Sequence, residues 1–118
     1  MKEEVDKEMK ESDCQERQFQ LCPKFEKTFS ILGKRWNGLI IDVLLEEGCQ
    51  RFTQLAQKIP EVSDRVLVER LKELEANEIV SRCEDCKNSK KVEYCLTEKG
   101  KDLKQVMAEI QTWAEKWI

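Results

Sequence analysis

The stretch "RFTQLAQKIPEVSDRVLVERLKELEANE", Arg51 to Glu78, constrains the fold of this chain more than any other. Pro60 closes one helical pattern and Ser63 opens the next. Proline cannot supply a helical N–H, and a serine hydroxyl caps the free N–H groups of a new helix. Two helices must therefore meet in a short turn. The first is short and carries Leu55, Ala56 and Ile59. In the second, Leu67, Leu71 and Leu74 recur at i, i+4 and i+7 and should face inward. Asp64, Arg65, Val68, Glu69 and Lys72 then lie on the opposite side. Two β-like runs follow Asn77, "IVSRC" and "KVEYCL", separated by a polar turn.

The flanks read as helices. Pro23 suits a first helical turn, and Phe25, Phe29 and Leu32 recur at helical spacing over Pro23–Leu32. A second helix is expected after Gly33, with Trp36, Leu39, Ile40, Val43 and Leu44 on one face, broadened by Ile41 and Leu45 and ended by Gly48. Arg51 and Phe52 suit a very short strand. Thr97 is a candidate N-cap for one long helix to the end, with Leu103, Val106, Met107, Ile110, Trp113 and Trp117 on its apolar face. No later element follows to cover two tryptophans, so that face favours a dimer contact.

Charge separates the chain into two parts. Residues 1–18 read as a charged, flexible arm, and 19–118 as one domain. Residues 1–20 hold four basic and seven acidic side chains, the whole net charge of −3, so the remainder is neutral. Neutrality neither requires nor excludes nucleic acid, because placement of charge decides that. No apolar run reaches the roughly 18 residues that span a bilayer, and the N-terminus lacks the apolar core of a signal peptide, so a cytoplasmic protein with no membrane partner is expected. The chain has no histidine, which removes the commonest general base and imidazole metal ligands. With no Gly-rich phosphate loop and no nucleophile–base pair either, an enzyme is not expected, nor a cofactor.

Two helices joined by a short turn, then a hairpin, is the order of a winged helix-turn-helix: mainly α, with a small β wing. In that arrangement the second helix enters the major groove, presenting Ser63, Asp64, Arg65, Val68 and Glu69. Arg51, Lys58, Lys72, Lys87, Lys90 and Lys91 could reach phosphates. Equally, all of these could be ordinary solvated surface charges.

The wording of the chain adds to this. "CPKFEKTFSILGKRW" (Cys22 to Trp36), "RFTQLAQKIPEVSDRVLVERLKELEANEIV" (Arg51 to Val80) and "VEYCLTEKGKDL" (Val92 to Leu103) resemble the HxlR-type winged-helix regulators, relatives of the MarR group. The resemblance runs from about Cys22 to the C-terminus. It implies a homodimer joined through the first and last helices, with Phe25, Phe29, Ile110, Trp113 and Trp117 at the seam. It also implies a pseudo-palindromic operator in double-stranded DNA, contacted through Ser63, Asp64, Arg65, Val68, Glu69 and the Lys90–Lys91 region, and a role as a repressor.

Six cysteines in a reducing compartment point to free thiols, metal binding or redox sensing rather than a disulfide framework. Cys22 precedes Pro23 at a helix start, where backbone N–H groups and the helix dipole favour the anionic, nucleophilic sulfur. The resemblance implies a sensor of quinones, aldehydes or oxidants at this Cys-Pro position; a small side chain buried at the dimer seam is the plainer alternative. Cys14, Cys83 and Cys86 are candidate secondary thiols. The wing departs from the family, carrying "CEDCKNSKK" where prolines are common, and Cys49 also stands where proline is common.

With a turn centred near Lys87–Asn88, Ser81 falls opposite Tyr94 and Cys83 opposite Val92. Cys83 and Cys95 then point to opposite faces, about 10 Å apart along the ladder at roughly 3.3 Å per residue. A regular hairpin then cannot bring Cys95 to a zinc held by Cys83 and Cys86, so plain thiols rank first, a Cys83–Cys86 disulfide second and zinc last, and no metal site is expected. Cys49 approaches Cys95 if the short strand pairs with the wing. Two other readings stay open: a ligand- or metal-responsive regulator without thiol sensing, and a winged-helix module that binds protein partners.

Overall fold

The computed structural model describes residues 19–84 and 91–118. The elements run α1 (Pro23–Leu32), α2 (Asn37–Glu47), β1 (Gln50–Arg51), α3 (Phe52–Lys58), α4 (Asp64–Ala76), β2 (Val80–Glu84), β3 (Val92–Leu96), α5 (Glu98–Lys101) and α6 (Lys104–Trp117). The three strands form an antiparallel sheet in the order β1-β3-β2. The expected arm at residues 1–18, including Cys14, lies outside the described residues, as do Cys86, Lys87 and Lys90. No helix among the described residues is long and apolar enough to cross a membrane.

Local signals place the helix ends. Cys22 is the N-cap of α1 with Pro23 at its first position. Ser63 caps α4, its Oγ accepting the Val66 N–H at 3.2 Å. Thr97 caps α5, its Oγ1 accepting the Gly100 N–H at 3.0 Å. Gly48 ends α2 at φ 82°, a left-handed conformation that costs glycine little.

The core is one cluster. Ile40, Ile41 and Leu44 of α2, Leu55 of α3, and Leu67, Leu71 and Leu74 of α4 meet Ile79, Val80 and Leu96. Each such buried side chain contributes roughly 1.5–3 kcal/mol of transfer free energy, so the leucine stripe holds α4 in a fixed orientation. Two polar side chains are buried among these residues. Asn37 donates from Nδ2 to the Ile31 carbonyl at 2.8 Å, tying the end of α1 to the start of α2. Gln50 donates to the Cys49 carbonyl at 3.0 Å and accepts from Lys58 Nζ at 3.2 Å.

Four expectations need correction. Trp36 is not on the inward face of a helix: it is the N-cap of α2 at φ 81°, with the Arg35 guanidinium 4.5 Å above its ring. Leu39 is 51% exposed, because α2 buries the Ile40–Ile41–Leu44 side instead. The first strand is Gln50–Arg51, and Phe52 already belongs to α3. The last helix is broken into α5 and α6. The chain tightens at Asp102–Leu103, where the Leu103 N–H reaches only to Gly100 O at 3.0 Å.

The hairpin register is also one residue away from the expected one. Val80 pairs with Leu96, Ser81 with Cys95, Arg82 with Tyr94, Cys83 with Glu93 and Glu84 with Val92. A one-residue slip moves every side chain to the other face. Here the buried Val80 and Leu96 must sit side by side on the core face of the sheet, and that sets the register. Cys83 and Cys95 therefore share a face, two residues apart along the ladder, rather than lying on opposite faces.

Candidate nucleic-acid interface and thiol sites

The outward side of α4 follows from its inward side. Leu67, Leu71 and Leu74 are at most 1% exposed. Helical spacing turns Asp64, Arg65, Val68, Glu69 and Lys72 to solvent, and all five are exposed, as is Ser63 at the cap. Arg51 is exposed on β1, with its backbone N–H donating to Gln54 Oε1 at 2.8 Å to cap α3. Lys91 is exposed immediately before β3. The side chains expected on the outer side of α4 are thus exposed; Arg51 lies on β1 and Lys91 just ahead of β3. Lys58 is engaged by Gln50.

The segment Gly33–Trp36 docks on this helix. Lys34 Nζ meets Glu73 Oε2 at 3.1 Å. Arg70 Nε donates to the Arg35 carbonyl at 3.3 Å. The turn after α1 and α4 are therefore joined by polar contacts 39 and 35 residues apart in sequence.

α1 and α6 carry a second surface. Phe25 and Phe29 are 63% and 58% exposed, and their rings meet edge to face at 4.9 Å between centroids. Ile110, Trp113 and Trp117 of α6 are 53%, 58% and 65% exposed. Only the N-terminal end of the last helix is anchored, with Leu103 and Met107 packed on the core. Large apolar side chains clustered on an exposed helix face are a common mark of an interaction site. Cys22 is a free, exposed thiol at the start of α1.

The other described thiols lie on the sheet. Cys49 and Cys95 form a disulfide, with Cα atoms 4.3 Å apart. Reading by composition favoured free thiols; pairing of β1 with β3 overrides it by setting these two cysteines side by side. The bond borders an open-sided cleft of about 400 Å³ walled by Leu44, Leu45, Leu96, Lys101 and Lys104. Cys83 is free and exposed, its Sγ 3.5 Å from Ser81 Oγ. The only sequence signal for the Cys49–Cys95 contact was the position of Cys49 just ahead of the short strand.

A short helix, a tight turn and a second helix with one bare polar face, flanked by a hairpin wing, define a winged-helix transcriptional regulator. The chain belongs to one family of these, the HxlR-like helix-turn-helix proteins, whose family model matches residues 31–118. It is 53% identical over 97 residues to the HTH-type transcriptional regulator YodB of Bacillus subtilis (strain 168), covering 82% of this chain and 86% of YodB. Among solved structures, quinone-bound YodB superposes with a TM-score of 0.72 at 52% identity, covering 81% of this chain and all of that one, 100%. The redox regulator HypR in its reduced form gives a TM-score of 0.72 at 32% identity, covering 79% of this chain and 91% of HypR. These relatives are regulators and not enzymes.

Proposed function

We propose that the chain is a cytoplasmic repressor that binds a pseudo-palindromic DNA operator as a homodimer and releases it when Cys22 reacts with an electrophile or oxidant. The observation that carries the DNA reading is the solvent-facing side of α4, backed by a fully buried leucine stripe. Arg65 suits guanine edges and Glu69 suits the cytosine amino group. Acidic side chains on that side favour base reading over simple phosphate attraction, while Arg51, Lys72, Lys90 and Lys91 supply the phosphate contacts.

Dimerisation is supported by the exposed aromatic and aliphatic side chains of α1 and α6. Pairing through them would cover Phe25, Phe29, Ile110, Trp113 and Trp117 and set two α4 helices at a fixed spacing. Cys22 stands at the start of the same α1, so an adduct there would bear on that seam. The Lys34–Glu73 and Arg70–Arg35 contacts offer a route from the end of α1 to α4. YodB, solved with a quinone bound, supports an electrophile of that class as the inducer.

Titrating labelled duplex from the region upstream of the chain's own gene tests this reading. Log affinity should fall with log salt by roughly 0.9 per phosphate neutralised, and sedimentation should find two chains per duplex. Salt-independent binding, or capture of protein partners in place of DNA, would favour the interaction-module alternative.

A further inference from the structure

We infer that, once reduced, Cys49 and Cys95 together with Glu93 form a site for one thiophilic divalent cation of the zinc or cadmium class. The site is distinct from Cys22 and does not depend on DNA binding.

Strand pairing builds it. β1 and β3 pair Gln50 with Tyr94 and Arg51 with Glu93. One further step along this antiparallel ladder sets Cys49 across from Cys95, and strand alternation puts Glu93 on the same face as Cys95. The two sulfurs and a Glu93 carboxylate oxygen all lie within 4.8 Å of one another. Among the described residues Glu93 forms no salt bridge, so its carboxylate is available.

Coordination fits that spacing. Tetrahedral zinc holds thiolate sulfurs at 2.3 Å, which places two of them about 3.8 Å apart. Side-chain rotation can open a reduced pair to that separation while the paired strands stay in place. Two soft sulfurs select zinc or cadmium over magnesium or calcium. Cys49 is exposed and the adjoining cleft is open, so water can complete the coordination. Lys101 and Lys104 border the same cleft and offset the negative charge of two thiolates and a carboxylate.

Disulfide and metal exclude each other. A low-molecular-weight thiol reduces the bond: two RSH supply two electrons and two protons, leaving two cysteine thiols and one RSSR. Metal binding then displaces both thiol protons to solvent. An oxidant such as diamide takes two electrons from the pair, re-forms the sulfur–sulfur bond and expels the cation. Metal occupancy at the root of the wing is thereby set by redox state.

Cys83 shares this face and is a rival donor. The test therefore uses the full chain with Cys14, Cys22, Cys83 and Cys86 each changed to Ser, titrated with cadmium or cobalt after reduction and removal of excess reductant. The expected result is a thiolate-to-metal charge-transfer band that saturates at one ion per chain and is absent after diamide. Cys49→Ser and Cys95→Ser should each abolish it. Glu93→Gln should weaken affinity by roughly tenfold or more, the loss typical when a group serving a metal is removed. No band in the reduced chain, a band that survives Cys49→Ser, or unchanged affinity in Glu93→Gln would overturn the assignment.

Discussion

Lys34, in the turn after α1, forms a salt bridge with Glu73 on α4 at 3.1 Å. The turn that follows α1 is thus tied directly to α4, across 39 residues of sequence. Side chains at 45% and 26% exposure make this a partly screened pair. Lys34→Ala should therefore cost no more than about 1 kcal/mol of stability. Its larger effect should be on coupling: DNA release by an electrophile should be weaker in the variant than in wild type. Equal release at equal DNA affinity would remove the pair from the route.

Variants at Arg65 and Lys91 test base reading and phosphate attraction separately. Arg65→Ala should weaken specific binding by about 1–3 kcal/mol and relax base preference in one position of each half-site. Lys91→Ala should weaken specific and nonspecific duplexes alike and lower the salt slope by about 1. Equilibrium titrations against operator and scrambled duplex check both, and wild-type behaviour in both variants would contradict the placement.

Trp113 is exposed in the monomer, so its loss should leave folding nearly intact and act on association. Trp113→Ala should cost about 2 kcal/mol or more of dimer affinity if its ring is a central anchor of the seam. Sedimentation velocity over a concentration series reads this directly. An unchanged association constant would move the seam away from α6.

Gly100 is a packing requirement. A Cβ there would collide with the Ile79 carbonyl oxygen and crowd the Leu96 side chain. The backbone cannot yield easily, because the Thr97 N–H donates to that same carbonyl at 3.0 Å. Gly100→Ala should destabilise the chain by about 1–3 kcal/mol, seen as a lower denaturant midpoint. An unaffected midpoint would show that the α5 start can shift.

Local signals explain which parts of this fold were legible in the sequence. α1 is bounded by Pro23 and Gly33, and α4 by Ser63 and a leucine stripe, so short-range chemistry marks both. The turn at Trp36, the exposure of Leu39 and the hairpin register answer instead to distant packing around Ile40, Ile41, Val80 and Leu96. Burial of Asn37 and Gln50 was not legible either, since the carbonyls that accept from their amide N–H groups are set in place only by the fold. The exposed residues of α4 could be read because they are the complement of an apolar stripe. The Cys49–Cys95 bond required knowing that β1 joins β3, a contact 46 residues apart.

The most direct measurement is fluorescence anisotropy of labelled operator with wild type and Cys22→Ser, each titrated with a quinone. Both proteins should bind the duplex with similar affinity before treatment. Wild type should then release it at stoichiometric quinone, and Cys22→Ser should remain bound. Equal release by the two proteins would contradict sensing at Cys22, and no binding by either would contradict the operator reading itself.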